Sequence, residues 1–231
     1  AHSGGSASTQ NVSVAGMVTA PGAGESWIAT SGTNTKGSIN TGQSFAGKSG
    51  VWINEFHYDT VSTDVGEFVE IVVGPEVTTA LTNIVLVLYN GGGGNTYGTH
   101  ALSTFTLGST VDGYRIFHKD IASLQNGAPD GFAVTVNGGV VQFLSYEGTF
   151  IAVDGAAAGL TSADIGIAET AAPVGSSLQL TGSVGSTTPA PVITVSGPAA
   201  ATALQAFSYQ ITASHSPDSY AASGLPDGLT I

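Results

Sequence analysis

Apolar and polar positions along this chain recur with a period of two, and a helical period is nearly absent. "VWINEFHY" (51–58) and "GEFVEIVVG" (66–74) read as strands. In the second, Glu67, Val69, Ile71 and Val73 fall on one face, and Phe68, Glu70 and Val72 on the other. "NIVLVLYN" (83–90) is almost continuously apolar, as a strand covered on both faces would be, and "GGGGN" (91–95) breaks it as a hairpin loop. "GFAVTVNGGVVQFLSYEG" (131–148) predicts a second hairpin, because Asn137 and Gly138 tolerate the positive φ angles of a tight turn between two β-rich runs. "TSADIGIAE" (161–169) offers at most one short helical turn, and no fixed-period repeat is present. The pattern therefore predicts an all-β sandwich over about 51–182, with Phe68, Val72, Val85, Val87, Phe132, Val134, Phe143 and Leu178 as core candidates.

The flanks read differently. Residues 1–50 form a Gly/Ser/Thr-rich arm with short β-capable pieces, "NVSVAGMV" (11–18) and "SWIATS" (26–31). "GSTTPAP" (185–191) is a Pro/Thr linker after the sandwich of 51–184. A further β-segment occupies 192–231: a strand at Phe207–Ala213, a polar turn at Ser216-Pro217-Asp218 and a Pro/Gly turn in "SGLPDGLTI". This segment reads as half of a β-domain, so the chain is expected to be a processed or truncated part of something longer.

Composition narrows the setting. Charged residues make up 9% of the chain against 42% apolar, which argues for a packed core over disorder. Sixteen acidic residues oppose Lys36, Lys48, Arg115 and Lys119, for a net charge of −12, so direct nucleic-acid binding is not expected. There is no cysteine, which excludes disulfides, thiolate metal sites and cysteine nucleophiles. No apolar run reaches the roughly 18 residues of a membrane span, so no membrane insertion is expected. Scarce lysine with abundant Gly, Ser and Thr points to an extracellular or cell-surface location.

Chemistry-bearing motifs are few. The nucleophile elbow, the His-Glu-x-x-His zinc motif, the Walker loop and the dinucleotide fingerprint are all absent. His2, His57, His100, His118 and His215 are scattered; His57 and Asp59 share one strand face, which reads first as a solvated face. Asp59, Asp64 and Glu67 flank one short loop, with Glu55 and Glu70 on the adjoining strands. Hard oxygens on a loop are what Ca²⁺ takes, so these three are the candidate metal ligands, weighed against a merely solvated acidic loop. Asp130 and Asp154 read as turn residues, and Trp27 and Trp52 are too far apart in sequence to argue a carbohydrate platform.

Two resemblances add to this reading. "VWINEFHYDTVSTDVGEFVEIVVGPEVTTALTNIVLVLYNG" resembles the opening of bacterial lamin-tail-like domains, and "SLQNGAPDGFAV", "VVQFLSYEGTF", "GLTSADIGIAET" and "VGSSLQLTG" fit later parts of the same domain. "FSYQITASHSPDSYAASGLPDGLTI" is similar to the first half of bacterial immunoglobulin-like repeat modules. The resemblance implies an immunoglobulin-like sandwich followed by an incomplete immunoglobulin-like segment. It also implies a non-catalytic structural or adhesion module of a secreted or surface protein, whose partners are further copies or neighbouring domains. Two alternatives stand beside it: a filament subunit assembled by β-strand addition, and an accessory region of a larger secreted nuclease or phosphatase.

Overall fold

The structure, a computed structural model, describes residues 21–22, 24–61, 63–170 and 172–183, together with the backbone of 193–194 and 212–213. Residues 11–18, expected to form a strand, lie outside the described residues, as does most of 192–231. The strands are β1 (Glu25–Ala29), β2 (Gln43–Ser44), β3 (Val51–His57), β4 (Phe68–Val73), β5 (Ile84–Asn90), β6 (Asn95–Ala101) and β7 (Thr106–Val111). They continue with β8 (Tyr114–Asp120), β9 (Asp130–Val136), β10 (Gly139–Tyr146), β11 (Ala163–Asp164) and β12 (Leu178–Ser183). The chain divides into two units, Ala1–Gly185 and Ser186–Ile231. In the second, β13 (Ile193–Thr194) pairs antiparallel with β14 (Thr212–Ala213).

The first unit is all-β, with two packed sheets. The larger runs β1-β12-β3-β4-β8-β7, with β2 alongside β12; the smaller runs β11-β10-β9-β5-β6. The β9–β10 hairpin turns at Asn137 (φ 50°) and Gly138 (φ 82°), as this residue pair predicts. Between the sheets Phe56 meets Phe132 edge to face at 5.1 Å, and the Ile53 amide donates to Gln142 Oε1 across the layer at 2.7 Å. Among the described residues helix is limited to two single 3-10 turns, and no helix is long and apolar enough to cross a membrane.

What the alternating pattern does not anticipate is that both sheets are also covered outside. All residues of β3 and β4 are buried, so neither strand keeps a solvated face. Register places Trp52, Val72 and Ile116 in one row on the outer face, then Glu55, Glu70 and His118, then His57, Phe68 and Asp120. Residues 30–48 form a strap over that face. Phe45 packs on Tyr114 and Trp52 at 5.1 and 5.6 Å, and Lys48 Nζ lies 4.5 Å above the Trp52 ring. Lys48 also pairs with Glu25 at 2.7 Å, joining the strap to β1.

Gly37 makes the closest approach. Its φ of +82° suits glycine, and a Cβ there would sit 3.1 Å from the His118 ring. On the smaller sheet, Val87, Tyr89, Ala133, Val140 and Phe143 face outward and are covered by Phe150, Ala152 and Ala157. Of the core candidates, Phe132, Val134 and Leu178 lie in the main core and Val72 joins it from under the strap, whereas Val87 and Phe143 belong to this second cluster. Val85 is only half-buried, because it packs at the margin of that cluster.

Phe45 is buried against the Trp52 and Tyr114 rings, so Phe45→Ala should lower stability by about 3–5 kcal/mol. The loss is read as a lower urea midpoint with unchanged slope. A shift within the ordinary range for surface substitutions would mean that the strap contributes little to the fold.

Candidate functional site at the acidic end of the sandwich

Titratable side chains concentrate at one end of the sandwich, where β3 and β8 stop and β4 begins in one sheet, and β9 begins and β10 stops in the other. Tyr58, just past β3, stacks on Tyr146 of β10 with centroids 4.0 Å apart and planes at 19°, clamping the two sheets together. The Tyr58 hydroxyl donates to Glu147 Oε1 at 2.9 Å and accepts the Glu169 amide at 2.8 Å. Tyr146 donates to the Gln125 carbonyl, and the Gln125 amide donates to the Tyr97 hydroxyl. Burial pushes the phenols of Tyr58 and Tyr146 far above their ordinary range, and that of Tyr97 to about 12, so all three stay neutral.

His57 corrects the sequence reading. It is buried, with 1% of its surface exposed, and does not lie on a solvated face. Its Nδ1 is 2.8 Å from Glu169 Oε1, while Glu169 Oε2 accepts the Tyr58 and Asp59 amides at 2.7 and 3.2 Å. Nε2 is buried toward the Val65 backbone without a hydrogen bond of good geometry. Burial works against charge on His57, but the Glu169 carboxylate outweighs it and raises the imidazole pKa. Glu169 is the residue that sequence reasoning missed. It lies 112 positions from His57, and "IAET" carries no motif that would pair the two.

The calcium candidates are placed individually. Asp64 Oδ1 accepts the Thr60 amide at 3.0 Å, and Oδ2 accepts Asn126 Nδ2 at 2.9 Å. These bonds, Asn126 first, hold its carboxyl below the usual range. Glu67 Oε2 accepts the Ser123 amide at 2.7 Å, while its Oε1 is buried without a partner. Burial, with Asp64 nearby, raises the Glu67 pKa. Asp59 gives its amide to Glu169. Among the described residues no three His, Asp or Glu side chains converge as a metal cluster. Glu55 and Glu70, on the adjoining strands β3 and β4, are fully buried beneath the strap.

Asp130, read as a turn residue, is the first residue of β9, whereas Asp154 lies in a bend as expected; both hold loops in place. Asp130 accepts the Gly91 and Gly127 amides at 2.9 and 2.8 Å, and Asp154 accepts the Thr96 amide at 2.7 Å. Two open hollows lie here, one of about 360 Å³ beside Asn126 and Asp130, the other of about 220 Å³ beside Glu147 and Asp164. The contacts at this end are hydrogen bonds and electrostatic pairs that tie loops to sheet ends.

Taken with the fold, this defines a two-sheet β-protein whose acidic end is internally bonded. No family model, curated protein or solved structure matches the chain.

Glu169→Ala should cost about 3–5 kcal/mol, since it strands a buried imidazole and two backbone amides. In the milder Glu169→Gln, the pKa of His57 should fall, because the carboxylate that favours the imidazolium is gone; NMR titration of the ring protons reads this. Calcium is decided by calorimetry. Binding that Glu67→Gln weakens supports a site on the loop, and no heat at about 10⁻³ M removes it.

Proposed function

We propose that this protein is a non-catalytic structural or adhesion module of a secreted or cell-surface bacterial protein, with an immunoglobulin-like sandwich akin to lamin-tail-like domains. The observation that carries the reading is how its polar side chains are used. Glu169, Asp64, Asp130 and Asp154 each accept one or more backbone amides, and Glu55 and Glu70 hold the strap. Carboxylates used in this way stiffen loops and leave the sheet ends as rigid display surfaces. The low charge and the motif resemblance of 51–182 support the same reading.

A second reading, self-assembly by strand addition, is favoured by β6. It ends the smaller sheet, and among the described residues no strand pairs with its outer side. Its donor would be the β-capable piece 11–18 of the N-terminal arm, which lies outside the described residues.

Purified protein should not turn over nucleic acid, phosphate esters or polysaccharide, and should sediment as a single low-order species. Turnover abolished by Glu169→Gln would overturn the structural reading in favour of an enzyme. Concentration-dependent polymers that vanish when residues 1–20 are deleted would favour the filament.

A further inference from the structure

Beneath the strap a row of polar side chains crosses the outer face of the larger sheet. Register aligns Gln179 of β12, Glu55 of β3, Glu70 of β4 and His118 of β8. Side chains opposite one another on neighbouring strands are about 4.5–5.5 Å apart at Cβ, so the two carboxylates are immediate neighbours. Both are fully buried. Two adjacent buried carboxylates resist ionising together, because burial and mutual repulsion both oppose the second charge.

The donors are divided unequally. Glu55 Oε1 accepts the Thr35 amide at 2.8 Å, Ser177 Oγ at 2.6 Å and Gln179 Nε2 at 3.0 Å, and its Oε2 lies 2.8 Å from Thr35 Oγ1, whose one proton is shared with Asn40 Oδ1 at 2.7 Å. Glu70 has two donors, Asn54 Nδ2 at 2.9 Å and the Gly37 amide at 2.6 Å. With two donors and full burial, Glu70 is the member that keeps a proton. Three of these six bonds come from the strap, so its attachment at Thr35 and Gly37 runs through this pair.

We infer that residues 33–40 form a latch on the larger sheet, shut while the Glu55–Glu70 pair holds a proton and released when both carboxylates are charged. Facing the pair are Asn54 from β3, Ser177 just ahead of β12 and Gln179 within it. From β8 comes His118, which burial and then Lys36 push toward the neutral form, so it supplies no compensating cation. Lys36, next to Gly37 on the strap, has its Nζ 2.8 Å from Asp120 Oδ1. One row further along, His57 is held by Glu169.

The direction of the pH dependence follows from linkage. Burial first, then the charge of Glu55, pushes the Glu70 pKa up to about 8 in the closed state, from an ordinary 4.5. A raised carboxyl pKa stabilises the closed form fully below the ordinary value. That stabilisation is lost as pH rises through the closed-state value. Between these limits the closed form binds one proton more than the open form, so opening becomes up to about tenfold easier per pH unit and levels off above.

Amide hydrogen exchange on the full chain, corrected for intrinsic rates, tests this. Protection of the Thr35 and Gly37 amides should fall steeply from about pH 5 to about pH 8 with a slope approaching tenfold per unit. Amides of β4 should not follow that slope. In Glu70→Gln it should flatten, whereas in His118→Gln it should persist. Flat protection in the wild-type protein overturns the latch. So does a fall shared by β4, which marks loss of the whole fold, or a slope removed by His118→Gln and kept in Glu70→Gln. Should Glu70→Gln fail to fold, carboxyl-carbon NMR on the wild-type protein decides: Glu70 titrating in the ordinary carboxylate range overturns the proposal, and titration above pH 7 sustains it.

Discussion

The constraint on which this fold depends is that β3 and β4 have no face left for water. A sandwich needs to bury only the inner face of each sheet, so covering the outer face requires a further layer. The strap supplies that layer, and its composition follows from the surface beneath it. Phe45 packs on the Trp52 and Tyr114 rings, Thr35 and Gly37 answer Glu55 and Glu70, and Lys36 reaches Asp120 across Phe68. Without these matched contacts the outer face of the larger sheet would expose a mixture of large apolar rings and stranded carboxylates.

Covering polar groups demands partners for them, and most of the side-chain hydrogen bonding serves that demand. Asn54 illustrates how closely the partners interlock. Its Oδ1 accepts Gln43 Nε2 and the Trp52 indole, its Nδ2 donates to Glu70, and its carbonyl accepts Asn40 Nδ2. Asn40 in turn reaches the Leu180 carbonyl, binding the strap to β12 and β3 together. Such networks gain much of their worth from low local polarity, which equally makes a lost partner costly. The same logic governs the acidic end, where Glu169 satisfies two amides and an imidazole at once. Both networks link segments more than a hundred residues apart, as Ser177 and Glu55 do under the strap. They therefore form only once the sheets have assembled.

The functional reading rests on this economy of polar groups. Reactive sites keep carboxylates and imidazoles oriented toward a space that a substrate can enter. Here Glu55, Glu70, His57 and Glu169 are buried and turned to neighbouring loops and strands. The more open surface lies at the loop-lined hollows beside Asp130 and Glu147.

The strand periodicity was legible in the sequence because it is a local property. The alternation in 66–74 placed Val69, Ile71 and Val73 together, and Asn137-Gly138 marked the β9–β10 turn, each through rules that act over a few residues. The same rules read residues 26–31 as β-capable, and Glu25–Ala29 indeed joins the larger sheet beside β12. They could not say that residues 30–48 would cover β3 and β4. A Gly/Ser/Thr-rich segment has no periodicity of its own, and its conformation is set by the surface it covers. Nor could they tell that Glu55 and Glu70 would be buried, since an alternating glutamate ordinarily marks the solvated face of a strand. His57 met Glu169, and not water, for the same reason. Which face of a strand stays wet is decided by what the rest of the chain lays over it, and that depends on long-range packing, which local sequence patterns do not encode.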